Sequence, residues 1–174
     1  EPPGLLHLLG RALSLGVTEV TVDMSEGPIV SVERTRWAAL MDAAAACAEA
    51  ADYASAEDLL RSALPYVEAL PGSDPALSST CFSLASILVA LDRPAEAEPL
   101  LMRVHTIEAM RQGPNHPAVA IVLQRLGWLL ERLGRLTESE VCLRHALEIR
   151  STAFGPSSPE AEEVLDDLAQ VLEA

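Results

Sequence analysis

Gly113-Pro-Asn-His-Pro117 and Gly155-Pro-Ser-Ser-Pro159 bracket a helical pattern that is interrupted only at Leu133-Gly134-Arg135. The two glycines lie 42 residues apart, and a related turn, Gly72-Ser-Asp-Pro75, comes 41 residues before Gly113. A period near 40 residues with one helix-turn-helix per period is the signature of a helical repeat array, in which each unit buries its apolar face only against its neighbours.

Outward from that stretch, the chain aligns on three short turns: Ala50-Ala51-Asp52-Tyr53, Leu91-Asp92-Arg93-Pro94 and Leu133-Gly134-Arg135-Leu136. First-helix positions then fall into columns: Leu40, Cys81, Leu123 and Leu165; Ala43, Leu84, Leu126 and Leu168; Ala44, Ala85, Gly127 and Ala169; Cys47, Leu88, Leu130 and Leu172. Second-helix columns are Ala56, Ala97 and Ser139; Leu60, Leu101 and Leu143; Ala63, Val104 and Ala146. Small residues at a fixed position let two helix axes approach while Leu side chains interdigitate on either side. The expectation is an all-α fold of about three helical hairpins plus a final helix over residues 37–174.

The Gly-Pro-x-x-Pro turns have a mechanical reading. Gly113 and Gly155 can take the left-handed conformation that ends a helix, and the following proline cannot extend it. Pro75, Pro117 and Pro159 suit the first turn of the next helix, with Asp74, His116 and Ser158 as candidate caps.

Residues 1–36 do not carry the repeat. Leu5 to Leu15 is a short apolar helix candidate, and Val17 to Met24 and Ile29 to Val32 alternate like two short strands about Ser25-Glu26-Gly27-Pro28. This segment is a candidate for self-association, lying in the chain's own groove or a neighbour's.

Composition narrows the function. Hydrophobic residues are 49% of the chain and aromatics 3%, so the interior is built from Leu, Ala and Val, which favour helix. The net charge is −14, with 26 acids against 12 bases, and every base is Arg. Such a surface repels phosphate backbones and anionic membranes, and favours partners of apolar or basic character. No run of 18 apolar residues occurs. Three scattered cysteines, Cys47, Cys81 and Cys142, read as reduced, buried thiols in a cytoplasmic protein.

Candidate chemistry is sparse. His105 with Glu108, and His145 with Glu148, stand one helical turn apart but lack partner carboxylates, so they read as solvated side chains. Cys142 and His145 share a helix face without a third orienting group. No metal-spaced cluster or Gly-rich phosphate loop is present, so no cofactor, metal or enzymatic activity is expected.

The segment Leu123-Gln-Arg-Leu-Gly-Trp-Leu-Leu-Glu-Arg-Leu-Gly-Arg-Leu-Thr-Glu-Ser-Glu140, with Leu143-Arg-His-Ala-Leu-Glu-Ile-Arg150 and Gly155-Pro156, resembles a tetratricopeptide repeat. The 42-residue period and Gly-Pro-x-His-Pro linker resemble the long-helix subtype of kinesin light chains. A similar pattern closes the SET-and-MYND methyltransferases. The resemblance implies a right-handed superhelix whose first helices line a groove for a partner's peptide or helix. Groove residues would then be Met41, Ala45, Phe82, Ser86, Val89, Gln124, Trp128, Glu131, Asp166 and Gln170. Relatives carry an Asn ladder where this chain has Ala45, Ser86 and Trp128. Chaperone-binding members use a clamp of Lys and Asn, and the groove offers neither. The implied function is a protein-binding module or scaffold. The alternative is a regulatory or assembly domain of a larger enzyme, of the methyltransferase C-terminal kind.

Overall fold

A computed structural model describes residues 28–70 and 74–174. Within them the chain forms seven helices and no strand: α1 (Pro28–Glu49), α2 (Tyr53–Glu68), α3 (Pro75–Ala90), α4 (Pro94–Gln112), α5 (Pro117–Arg132), α6 (Leu136–Phe154) and α7 (Pro159–Glu173). The helices divide into two compact units, α1–α3 in the first, through Leu91, and α4–α7 in the second, from Asp92. The helix candidate Leu5 to Leu15, the strand candidate Val17 to Met24, and Gly72 lie outside the described residues.

The strand expected at Ile29 to Val32 is instead the start of α1, which begins at Pro28 rather than at residue 37. Val and Ile are only mildly disfavoured in helices, and tertiary contacts override that preference. Here the contacts come from the next helical turns: Arg34 donates to Asp74 Oδ2 at 2.9 Å and Trp37 Nε1 donates to Thr80 Oγ1 at 2.8 Å. Thr80 in turn donates to Ala76 O at 2.8 Å. Two long-range polar contacts therefore hold α1 on α3.

Every second-helix column position is buried: Ala56, Leu60 and Ala63 in α2, Ala97, Leu101 and Val104 in α4, Ser139, Leu143 and Ala146 in α6. At Gly127, α5 packs tightly on α6. A Cβ added at Gly127 would stand 2.7 Å from Leu143 Cγ, and Ser139 Oγ donates to Gly127 O at 2.8 Å. Val119, Ala120, Leu123, Ile149, Val164, Leu168 and Val171 complete the core that joins α5, α6 and α7.

Capping follows the expected residues. Asp74 accepts from Ala76 N at 2.8 Å, His116 Nδ1 from Ala118 N at 3.2 Å, and Ser158 from Ala161 N at 3.2 Å. Asp52 caps α2 through Ser55 N. The two kinds of turn differ. At the short turns the aligned residues Ala51, Asp92 and Gly134 all have positive φ, at 58°, 58° and 73°. Gly113 and Gly155 are more extreme, with φ of 96° and 102° and ψ of 153° and 152°. That is not the left-handed helical region expected at these glycines but an extended one that is essentially closed to residues with a Cβ.

No atom lies within 4 Å of a Cβ built on Gly134 or Gly155, so the cost of substitution there is backbone strain alone. Gly155→Ala is expected to destabilise by about 1–3 kcal/mol and Gly134→Ala by about 1 kcal/mol. Ala51→Gly should be neutral or stabilising by up to about 1 kcal/mol. Urea unfolding curves check the order of the three. At the crossing, Gly127→Ala must push Leu143 aside, and a loss of about 1–3 kcal/mol is expected in the same measurement.

Candidate partner-binding site

Four aligned first-helix positions, Ala45, Ser86, Trp128 and Gln170, all reach solvent, Trp128 being half-buried and the others exposed. Helical period explains this. Each lies one residue past the small-residue column of Ala44, Ala85, Gly127 and Ala169, and so turns away from the crossing.

In the first unit, Met41, Phe82 and Val89 are half-buried. Met41 Sδ lies 3.7 Å from the Thr80 hydroxyl, next to the Trp37 contact. Ser86 Oγ donates to Phe82 O at 3.0 Å, within its own helix. Trp37 lies outside the groove positions that the repeat pattern predicts. Its indole N–H is bound, and its half-buried ring stands on the same helix as Met41.

In the second unit, Trp128 carries the Arg125 guanidinium 4.6 Å from its ring centroid. Such cation–π stacking contributes about 0.5–1 kcal/mol at an exposed site, and it holds the indole in place. One and two turns before Trp128 come exposed Arg125 and Ile121, the latter 46% exposed. Ile121, Arg125, Trp128 and Arg132 thus form one stripe along α5. Glu131 is half-buried, and Asp166 and Gln170 on α7 are exposed.

Gln124 has a different place from the one expected. It is 3% exposed, and both ends of its amide are used: Oε1 accepts from Arg150 Nη2 at 2.7 Å and Nε2 donates to Asp167 Oδ2 at 2.5 Å. Arg150, itself buried, also donates through Nη1 to Glu160 O at 2.8 Å and Glu163 Oε2 at 2.9 Å. A buried guanidinium needs hydrogen-bond partners, and both terminal nitrogens find them here, on α5 and α7. Gln124 therefore positions α7 beside α5 and does not offer a free amide to a ligand. The Arg150 hydrogen bond holds the Glu163 carboxyl below the ordinary carboxylate range, with a further contribution from the Arg125 charge.

Two titratable groups on α4 and α6 are shifted toward their neutral forms. Burial pushes the Cys142 thiol up, away from thiolate character, and the Glu138 charge adds to this. His105 is lowered by burial and then by His145, which keeps it neutral near pH 7. Glu108, expected to be solvated, is buried and takes hydrogen bonds from Arg111 Nη1 at 2.9 Å and Gln112 Nε2 at 2.7 Å. Among the described residues no three His, Cys, Asp or Glu side chains converge to hold a metal, and no helix is long and apolar enough to cross a membrane.

Arg150→Met strips Gln124 and Glu163 of their donor, and a loss of about 2–3 kcal/mol is expected. The sign of the acid dependence follows from Glu163. A carboxyl with a depressed folded value stabilises at neutral pH, and that contribution is lost as pH falls through its folded value. Because Glu163 is 57% exposed, its share is under about 1 kcal/mol. Denaturant unfolding between neutral pH and about pH 3 should show a shallower acid slope for Glu163→Gln than for wild type.

Comparison with known proteins places this geometry. Residues 76–152 match the tetratricopeptide repeat model. No curated protein matches the chain. Among solved structures, a Podosopora anserina protein of kinesin light chain type, with nearly identical TPR-like repeats, superposes with TM-score 0.70 at 19% identity, over 79% of this chain and 66% of that one. BtubC (BKLC) from P. vanneervenii gives 0.67 at 21% identity, over 97% of this chain and 63% of that one. This chain thus spans less than two thirds of the length of either. The first TPR of Spaghetti (RPAP3), bound to the HSP90 peptide SRMEEVD, gives 0.59 at 18% identity, over 80% and 95%. The repeat matched over 76–152, and the all-α fold shared with these structures, are of the tetratricopeptide type.

Proposed function

We propose that the chain is a non-enzymatic, cytoplasmic protein-binding module that takes a peptide or helix of a partner on its first helices, with Trp128 as the anchor. The observation that carries this reading is a half-buried tryptophan, braced by Arg125, in a column whose other members are small or polar and exposed. Tryptophan and arginine dominate the energetics of protein interfaces, because a rigid aromatic buries much area at little entropic cost. The peptide-bound RPAP3 structure supports peptide binding as a use of this fold. A carboxylate clamp of the lysine kind does not fit, since this chain contains no lysine.

The ligand that fits is apolar at the position facing Trp128 and Ile121, with a basic residue reaching the α7 carboxylate Asp166. Met41, Phe82 and Val89 offer a second apolar surface on the first unit.

A peptide array screened with wild-type protein supplies ligands. Trp128→Ala should then weaken each by tenfold or more, about 1.4 kcal/mol or more, with an unchanged far-ultraviolet circular dichroism spectrum. Unchanged affinity in that variant, for every ligand found, would remove Trp128 from the site.

A further inference from the structure

Arg125 stands apart from the other arginines of its unit. From Asp92 onward the chain has fourteen acids and eight arginines, so carboxylates outnumber guanidiniums. Arg93, Arg111, Arg132, Arg135, Arg144 and Arg150 each hold a carboxylate oxygen at 2.6–2.9 Å. Exposed Arg125 holds none among the described residues. Its charge reaches Glu163, but that carboxylate is held by Arg150 at 2.9 Å, and Asp167 on the same helix accepts from Gln124. What Arg125 touches instead is the Trp128 ring.

That contact leaves its hydrogen-bonding capacity unspent. A guanidinium carries five N–H donors in one planar fork, and a carboxylate can take two of them side by side. The ring restrains the fork, so less conformational freedom is lost when a carboxylate arrives. A ligand cation seeking the same ring meets the Arg125 charge already there, which disfavours it. Exposed Ile121, one turn earlier, supplies apolar surface beside the fork. The stripe continues past Arg125 in both directions, to Ile121 and to Arg132, so a bound segment can cross it without ending there.

We infer that Arg125 is a specificity-determining residue of the Trp128 site, holding the side chain of an internal Asp or Glu in the bound segment, next to the apolar residue on Trp128 and Ile121. This rests on the proposed role of Trp128. It adds an acid facing α5 to the base facing Asp166 on α7, so the ligand carries both signs of charge in a fixed order.

The probe is an array of twelve-residue peptides in an Ala–Ser background. Each has one Leu, Phe or Trp, and one Asp, Glu, Asn, Gln or Lys one to four positions away. The strongest acidic peptide and its Asn or Gln counterpart are then titrated as C-terminal amides, by fluorescence anisotropy, into the wild-type chain, Arg125→Gln and Trp128→Ala. Wild type should bind the acidic peptide about threefold to tenfold more tightly than the uncharged one, and the Lys peptide most weakly. Arg125→Gln should bind the acidic and uncharged peptides alike. Loss of the brace on Trp128 would weaken both by the same factor, so the ratio of the two affinities reports the carboxylate contact alone. Arg125 is exposed, and the variant should keep the wild-type melting curve. Equal binding of the two peptides by wild type, with both weakened by Trp128→Ala, would overturn this inference and leave the Trp128 site standing. Unchanged binding by Trp128→Ala would remove both. An acid preference that persists in Arg125→Gln, or no acidic peptide bound at millimolar concentration, would also overturn the inference.

Discussion

The approach of α5 to α6 at Gly127 is the constraint on which the second unit depends. With no side chain at that position, Leu143 lies against the α5 backbone and Ser139 reaches its carbonyl. A fully buried leucine contributes about 1.5–3 kcal/mol, and it does so only if no cavity or clash intervenes. The crossing also sets which residues can face outward. Once the column of Leu123, Gly127 and Leu130 is turned toward α6, Trp128 must turn to the other side, where it meets Arg125. Position in the repeat thus decides both what is packed and what is displayed.

Polar groups supply the register that apolar packing alone leaves loose. Arg150 reaches Gln124 on α5 and Glu163 on α7, and Gln124 also binds Asp167, so three helices share one network whose centre, Arg150 and Gln124, is buried. In the first unit the corresponding job is done by different chemistry, with Arg34 on Asp74 and Trp37 on Thr80. A buried polar pair that is hydrogen-bonded is rigid, and removing one member leaves the other desolvated and short of a partner. Those atoms hold the exposed residues of α5 and α7 in place from beneath.

Repetition is what made most of the fold legible in the sequence. One Gly-Pro-x-x-Pro turn carries little information, but two in register with the Leu and Ala columns specify the hairpins, the caps and the crossing residues together. The departures have local causes. Ile29 to Val32 alternates like a strand, and the residues that fold it into α1 find their partners about 40 positions away, as Arg34 does at Asp74. Gln124 looks like a groove residue because its own helix places it near the exposed side. Its partners Arg150 and Asp167 lie 26 and 43 residues further along, beyond the reach of local pattern. Trp128 was visible for the opposite reason, being a rare aromatic in a column of small and polar residues.

The central claim is that first helices, and not the outer faces of second helices, receive the partner. Those outer faces are not bare: Met102 is 57% exposed, Met110 72% and Val141 65%. Nuclear magnetic resonance of methyl-labelled protein with a bound peptide distinguishes the two most directly. The account predicts shifts at the Trp128 indole N–H and the Ile121 methyl groups, with Met102, Met110 and Val141 unmoved. Shifts confined to Met102, Met110 and Val141 would contradict it.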